Sequence, residues 1–350
     1  MRRTALWCLL LAFFTLQSVP LLAQRKGQAK VVPSFVYHRF GDDRYPSTNI
    51  SKANFEAHLR FLKKQGFQVV TLSEALSYLT QRSTIEKMVC LTVDDGFNSF
   101  YENAFPLLQQ YGFKATVFIN TASVGSPDYM DWEALRELQE AGIEIGNHSH
   151  QHDYFLNDST ESRLEHFASD LLEAQSLIEQ NLGRRPEVYA FPYGEFDDSL
   201  KNVVKQAGIK AAAVQSSGVM HKQSDFYQLP RFPMSDRYGK MGSFIEKLTM
   251  RPIKVTEVET IAKGYNGSPD NPRLIFHFPL ENLRIESIQC FAQGQRCTKS
   301  VRIDKDGNVQ LTIKSKVPLT SRRTLYTITA PDQEGNWHWF SHTWVITSLK

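Results

Sequence analysis

The chain has 350 residues, too many for one small domain, and its 41% hydrophobic and 22% charged content is that of a globular protein and excludes a disordered one. Its formal net charge is +3, and two of the basic residues, Arg2 and Arg3, lie in a segment expected to be removed, which leaves about +1. A balance so close to neutral gives no reason to expect a nucleic-acid or anionic-membrane partner.

Arg2 and Arg3 head an apolar run over residues 5–16, which Ser18, Pro20 and Ala23 then break. This is the layout of a secretory signal peptide, with cleavage expected after Ala23. The apolar core is too short to span a bilayer comfortably, and no later segment is long and apolar enough to do so. The mature chain is therefore expected in the periplasm, in the cell envelope or secreted, with no stable membrane span.

From about residue 31 to residue 218, short apolar runs alternate with helical patterns. The runs cover 31–37, 68–72, 88–93, 114–120, 143–146, 187–191 and 210–214. Helical stretches at 53–65, 99–111, 132–141, 161–182 and 200–207 each stop at a glycine, the residue that most readily closes a helix in the left-handed conformation. A strand pattern follows within a few residues each time. This rhythm predicts an α/β fold, a distorted (β/α) barrel of about seven units, with functional groups gathered at the C-terminal ends of the strands.

The rhythm changes after about residue 251. Residues 263–272 are rich in turn formers, and short alternating runs follow without helical period. They predict a small all-β, immunoglobulin-like sandwich. The expected organisation is a signal peptide at 1–23, a barrel at 24–255 and a C-terminal sandwich at 256–350. Cys8 leaves with the signal, and Cys90 reads as a small buried side chain in an apolar run. Cys290 and Cys297 flank a glycine-containing turn and could pair in an oxidising compartment, a question of geometry that sequence leaves open.

Three strand ends carry chemistry. The run Leu91-Thr92-Val93 leads into Asp94, Asp95 and Gly96; adjacent carboxylates closing an apolar strand are costly unless paired or metal-bound. Gly146-Asn147 leads into His148, His150 and His152; in a helical turn His148 and His152 share a side, and in an extended segment all three would. Tyr189-Ala190-Phe191 leads into Pro192-Tyr193-Gly194, a turn suited to presenting a backbone N–H beside an aromatic wall. One aspartate with two histidines is a suitable donor set for a divalent metal that keeps positions open for water and substrate. The neighbouring aspartate is then free to act as a base.

In order and spacing these residues resemble the carbohydrate esterase family 4 polysaccharide deacetylases, those with a NodB homology domain. The resemblance covers about residues 31–233. The family's Thr-Phe-Asp-Asp-Gly motif stands here as Thr92-Val93-Asp94-Asp95-Gly96, its His-Ser/Thr-x-x-His motif as residues 148–152, and its Pro-Tyr-Gly motif as residues 192–194. The resemblance implies that Asp95, His148 and His152 hold a divalent metal, usually zinc, and that Asp94 is the general base toward water at that metal. It implies that the Tyr193 N–H helps hold the oxyanion, while His150 lies outside the ligand set.

Two departures stand out. Ala190 occupies the position where the family often has an arginine that holds the base, and the family's later Leu-x-His motif, source of its general acid, does not follow Gly194. With Val36-Tyr37-His38-Arg39 and Leu229-Pro230-Arg231, these departures are similar to the subgroup acting on exported poly-N-acetylglucosamine. Arg231 is then expected beside Asp94 in place of the missing arginine. His38 is expected either to face the site from the first strand or to be packed elsewhere. The implied function is hydrolytic removal of N-acetyl groups from an exported or cell-envelope polysaccharide; the alternatives are an O-acetyl esterase on the same scaffold and a non-catalytic glycan-binding protein. In the C-terminal region Trp337, Trp339, Phe340 and Trp344 could stack on sugar rings, with strand core the expected place of at least half. The region is expected to contact glycan or an envelope protein, or to brace the barrel.

Overall fold

The computed structural model describes residues 30–81, 87–261, 272–292 and 294–348. The signal peptide expected at 1–23 and all but the last residue of the turn-rich segment at 263–272 lie outside the described residues.

The barrel region is a mixed α/β unit built on a curled sheet. Its strands are β1 (Val31–Tyr37), β2 (Gln68–Val70), β3 (Met88–Val93), β4 (Thr116–Ile119), β5 (Glu144–Asn147), β6 (Val188–Ala190), β7 (Ala211–Ala213), β8 (Val219–His221) and β9 (Phe232–Pro233). The order is β8-β1-β3-β4-β5-β6-β7, with β2 beside β3 and β9 beside β1. All neighbours are parallel except β8, which runs antiparallel to β1. The seven strands β1 to β7 are the apolar runs read from the sequence.

Helices α1 (Lys52–Lys64), α2 (Leu72–Thr80), α3 (Phe105–Tyr111), α4 (Trp132–Glu140), α5 (Thr160–Leu182), α6 (Asp198–Gln206) and α7 (Met241–Thr249) connect or follow the strands. Their starts obey local capping chemistry: Thr71 and Glu74 form a reciprocal capping box on α2, and Asp131 and Asp197 cap α4 and α6.

The two-residue period of the strands sorts side chains by face. Phe35, Tyr37, Leu91, Val93, Val117 and Ile119 share one buried cluster with residues of α1, α3 and α4. The alternate positions are smaller or polar: Ser34, Cys90, Thr92, Thr116 and, one step past β3, Asp94, all fully buried. Ala190, Ala211 and Ala213 continue this small-residue lining, with Phe118 the large exception. Phe118 fits because its neighbour is a glycine: a Cβ at Gly146 would stand 2.5 Å from the Phe118 ring. Gly146→Ala is accordingly expected to cost about 1–3 kcal/mol by overpacking, read as a lowered denaturant midpoint at unchanged slope.

Registers place the strand ends on one rim. Tyr37 pairs with Val93 and Ile119 with Asn147, and just beyond them Asp94 N–H donates to the Tyr37 carbonyl at 2.9 Å and His148 N–H to the Ile119 carbonyl at 2.9 Å. The segment after β8 spans the gap between the last and first parallel strands. Val214 N–H donates to the Leu229 carbonyl at 2.9 Å, Arg231 N–H to the Ser216 carbonyl at 2.9 Å, and Phe232 pairs with Phe35 on β1. Residue 231 therefore enters the interior of the curl.

The C-terminal region is β-rich, as its turn pattern predicts. It contains β10 (Arg251–Pro252), β11 (Glu257–Ile261), β12 (Arg273–Pro279), β13 (Gln289–Ala292), β14 (Gln295–Arg296), β15 (Thr298–Ile303), β16 (Asn308–Lys314), β17 (Arg323–Pro331) and β18 (Trp337–Val345). They form one sheet ordered β10-β18-β17-β13-β14 and another ordered β11-β12-β16-β15, which share a core that includes Phe276, Leu311, Tyr326 and Ile328. Cys290 and Cys297 are disulfide-bonded, with Cα atoms 5.5 Å apart. The first of these sheets leans on the barrel: Trp339 meets the Phe232 ring edge-on, and Val345 joins the apolar cluster around Phe191. Of the four aromatics considered for sugar stacking, Trp344 is buried, Trp339 and Phe340 are half-buried against other rings, and only Trp337 is exposed.

Candidate active site

The rim brings Asp95, His148 and His152 together. Asp95 Oδ1 lies 3.4 Å from Nε2 of both histidines, and the two Nε2 atoms lie 3.2 Å apart. The His148 tautomer follows from its surroundings. Its Nδ1 donates to the Ala190 carbonyl at 2.7 Å, and a carbonyl can only accept, so Nε2 faces the other two atoms and offers them a lone pair once it is deprotonated. Burial lowers the ring's pKa, but the hydrogen bond with Asp95 and the charges of Asp94 and Asp95 outweigh it and raise it. Three lone-pair atoms converging this closely repel unless a cation or a proton sits among them. Donors about 2.0–2.1 Å from a tetrahedral centre stand about 3.3 Å apart, so the three separations suit a zinc-sized ion. Burial and the neighbouring His148 push the His152 imidazole down to about 4, which keeps it neutral and able to ligate. Burial raises the Asp95 carboxyl, but the hydrogen bond with His148 and the nearby His38, His148 and His152 outweigh it and hold the group well below the usual carboxylate range.

The loop that achieves this is neither the helical turn nor the extended segment that the spacing suggests. Ser149 and His152 both take left-handed backbone, with φ of 72° and 60°. The loop is tied by Asn147 Oδ1, which accepts from Ser149 N–H at 2.7 Å, and by Ser149 Oγ, which accepts from His152 N–H at 2.9 Å. Asp170 on α5 accepts from the N–H groups of His150 and Gln151, both at 2.8 Å. His150 turns away from the cluster, its Nδ1 2.8 Å from Thr121 Oγ1. Asp95 (φ 75°) and Tyr193 (φ 58°) are left-handed as well. Such residues cost about 1–3 kcal/mol each and persist only where surrounding structure over-determines them. Four of the six non-glycine residues with positive φ among those described fall at this rim, which itself marks it as a constrained functional site.

Asp94 faces inward, away from solvent, and is fully buried. Arg231, also fully buried, grips it with both arms: Nη1 to Oδ1 at 2.6 Å and Nη2 to Oδ2 at 2.8 Å. The guanidinium is held in turn by Thr92 Oγ1 at 3.0 Å and the Val214 carbonyl at 3.1 Å. Burial pushes the Asp94 carboxyl up, but Arg231 and His148 outweigh it and hold the carboxyl below its ordinary range. Ala190, where an arginine was missed, instead supplies the carbonyl that orients His148.

His38 follows β1 directly and is half-buried, beside the strand end that carries Asp94 and Asp95. Tyr193 lies in the turn after β6, its ring 4.5 Å edge-on from His152 and stacked on Tyr154 at 3.8 Å. Tyr154, Asp170 and Thr92 were not singled out from the sequence. Thr92 alone had a local signal, its place two residues before Asp94 on the same strand face.

Residues 81–212 match the family model described as polysaccharide deacetylase. A poly-beta-1,6-N-acetyl-D-glucosamine N-deacetylase of Staphylococcus aureus is 27% identical over 223 residues, covering 61% of this chain and 77% of that protein. Among solved structures, IcaB from Ammonifex degensii is similar at a TM-score of 0.54 and 24% identity, over 62% of this chain and 97% of that one. The Streptococcus pyogenes deacetylase PplD gives a TM-score of 0.57 at 17% identity, over 63% and 99%. The chain is thus similar to polysaccharide deacetylases in sequence over residues 81–212, and to solved deacetylases in fold. Within that family the similarity extends to proteins named for poly-N-acetylglucosamine deacetylation.

Proposed function

We propose that this protein is an exported, metal-dependent hydrolase that removes N-acetyl groups from poly-N-acetylglucosamine. The observation that carries the reading is the pairing of a convergent Asp95, His148 and His152 cluster with an adjacent buried carboxylate, Asp94, clamped by Arg231. These are two separate devices side by side, one for a cation and one for a proton.

A divalent ion held by Asp95, His148 and His152, with zinc the best fit to two nitrogens and one oxygen, supplies Lewis acidity toward an amide carbonyl and toward water. Asp94 takes the proton as the water oxygen bonds to the carbonyl carbon. The Tyr193 N–H donates to the oxygen that becomes negative. When the C–N bond breaks, acetate departs and the sugar amine needs a proton. His38, which directly follows β1 beside the strand end that carries Asp94 and Asp95, is the proposed source or carrier of that proton. The two C-terminal sheets, the first strand of which is β10 at Arg251–Pro252, are proposed to form an immunoglobulin-like domain, and export to the periplasm, envelope or medium is proposed from the leader pattern at 1–23. No helix among the described residues is long and apolar enough to cross a membrane.

The test is acetate release from N-acetylglucosamine oligomers, with acetylated xylan in parallel. Activity on the oligomers is expected to vanish on chelation and return with zinc. Release that survives chelation would overturn the metal centre, and release from xylan alone would move the reading to an O-acetyl esterase.

A further inference from the structure

The C-terminal region reaches the catalytic rim through two consecutive arginines at the start of β17. Arg322 makes a two-armed pair with Glu195, Nε to Oε1 and Nη2 to Oε2 both at 2.7 Å, and both side chains are almost fully buried. Its guanidinium also stands 4.4 Å over the ring of Tyr154. Tyr154 stacks on Tyr193 at an interplanar angle of 4°, and Tyr193 abuts His152. Arg323 donates to the backbone carbonyl of Tyr193 and, at 3.2 Å, to Gln215 Oε1. A column of side chains thus runs from the C-terminal sheet to a member of the metal cluster.

The turn it grips needs holding. Tyr193 is left-handed, a conformation its own side chain disfavours. The barrel supplies two short turn bonds, Gly194 N–H to the Phe191 carbonyl at 2.8 Å and Glu195 N–H to the Pro192 carbonyl at 3.1 Å. It also supplies a close floor, since a Cβ at Gly194 would lie 2.5 Å from the Gln215 nitrogen. The outer side of the turn is held by Arg322 on Glu195 and Arg323 on Tyr193.

We infer that Arg322 and Arg323 are positioning residues for deacetylation: the C-terminal sheet fixes the Tyr193 turn and so aims its N–H at the reacting oxygen. This rests on the deacetylase reading above. It makes the C-terminal region a working part of the active site, in place of an appended sugar-binding module.

Arg323→Ala tests this in the full-length, metal-loaded protein. Arg323 is 38% exposed, so its removal strands no buried charge and the fold is expected to persist. Arg302→Ala, on a strand of the other C-terminal sheet, is the control. Arg323→Ala is expected to lower kcat by about 10²-fold with KM and metal content little changed, because a misaimed donor loses transition-state contact first. Hydrogen exchange of the peptide covering 191–196 should rise, Arg323→Lys should recover part of both losses, and the control should change neither. Unchanged kcat and exchange in Arg323→Ala would overturn the inference. So would a loss of kcat that merely follows loss of metal or of the folded state. If the wild type released no acetate, the deacetylase reading would fail, and the exchange measurement would still decide whether Arg323 holds the turn.

Discussion

Asp94→Asn is expected to lower kcat by about 10²- to 10⁴-fold while zinc content stays near that of the wild type. The substitution keeps the shape of the side chain and removes its ability to accept a proton as a carboxylate. The three cluster atoms belong to other residues, so metal uptake provides the internal control. The change also leaves the fully buried Arg231 with a neutral partner, and breaking a buried ion pair from one side typically costs about 3–5 kcal/mol. Rates must therefore be measured well below a lowered Tm. A folded, zinc-bearing Asp94→Asn protein with near wild-type kcat would remove Asp94 from the proton path.

The complementary change, Arg231→Met, is expected to be as severe for stability and different in kind for activity. It removes both arms of the clamp together with the bonds to Thr92 and Val214, leaving a buried carboxylate with burial as the dominant influence. Its carboxyl then moves up, so the acid limb of the kcat/KM profile should shift to higher pH. The sign for stability follows from the same direction. In the wild type the folded carboxyl lies below its unfolded value, so the pair stabilises at neutral pH and that contribution is lost as pH falls through the folded value. Arg231→Met should forfeit about 3–5 kcal/mol, and the double variant Asp94→Leu with Arg231→Met should recover much of it, since an apolar pair often replaces a buried ion pair at little net cost. Wild-type stability and an unmoved acid limb in Arg231→Met would show that the clamp serves neither purpose.

The strands and the residues of the site were legible because each lies on a local pattern. Apolar runs marked β1 to β7, and Asp94, Asp95, His148 and Tyr193 follow directly from strand ends. Arg231 was legible only through the resemblance: nothing in Leu229-Pro230-Arg231 says that the segment inserts between β7 and β1. The shape of the 148–152 loop was not legible, because left-handed backbone at Ser149 and His152 depends on partners such as Asp170, which lies in the middle of an ordinary helix. Arg322 and Arg323 were passed over for the same reason. An Arg-Arg pair beside a turn reads as a solvated surface, and its meaning comes from Glu195, 127 residues earlier.

The segment that carries Arg231 across the gap has a consequence for biogenesis. Asp94 and Arg231 are 137 residues apart in sequence, and Glu195 waits for Arg322. Chain emerging in order from a ribosome or a translocation channel would present both halves of the Asp-His-His cluster long before the clamp or the outer brace could close. Closing such distant contacts is slow, because the chain must surrender its freedom before the contacts reward it. The nascent protein would therefore stay threadable until nearly all of it had emerged, and closure of the site would coincide with completion of the chain.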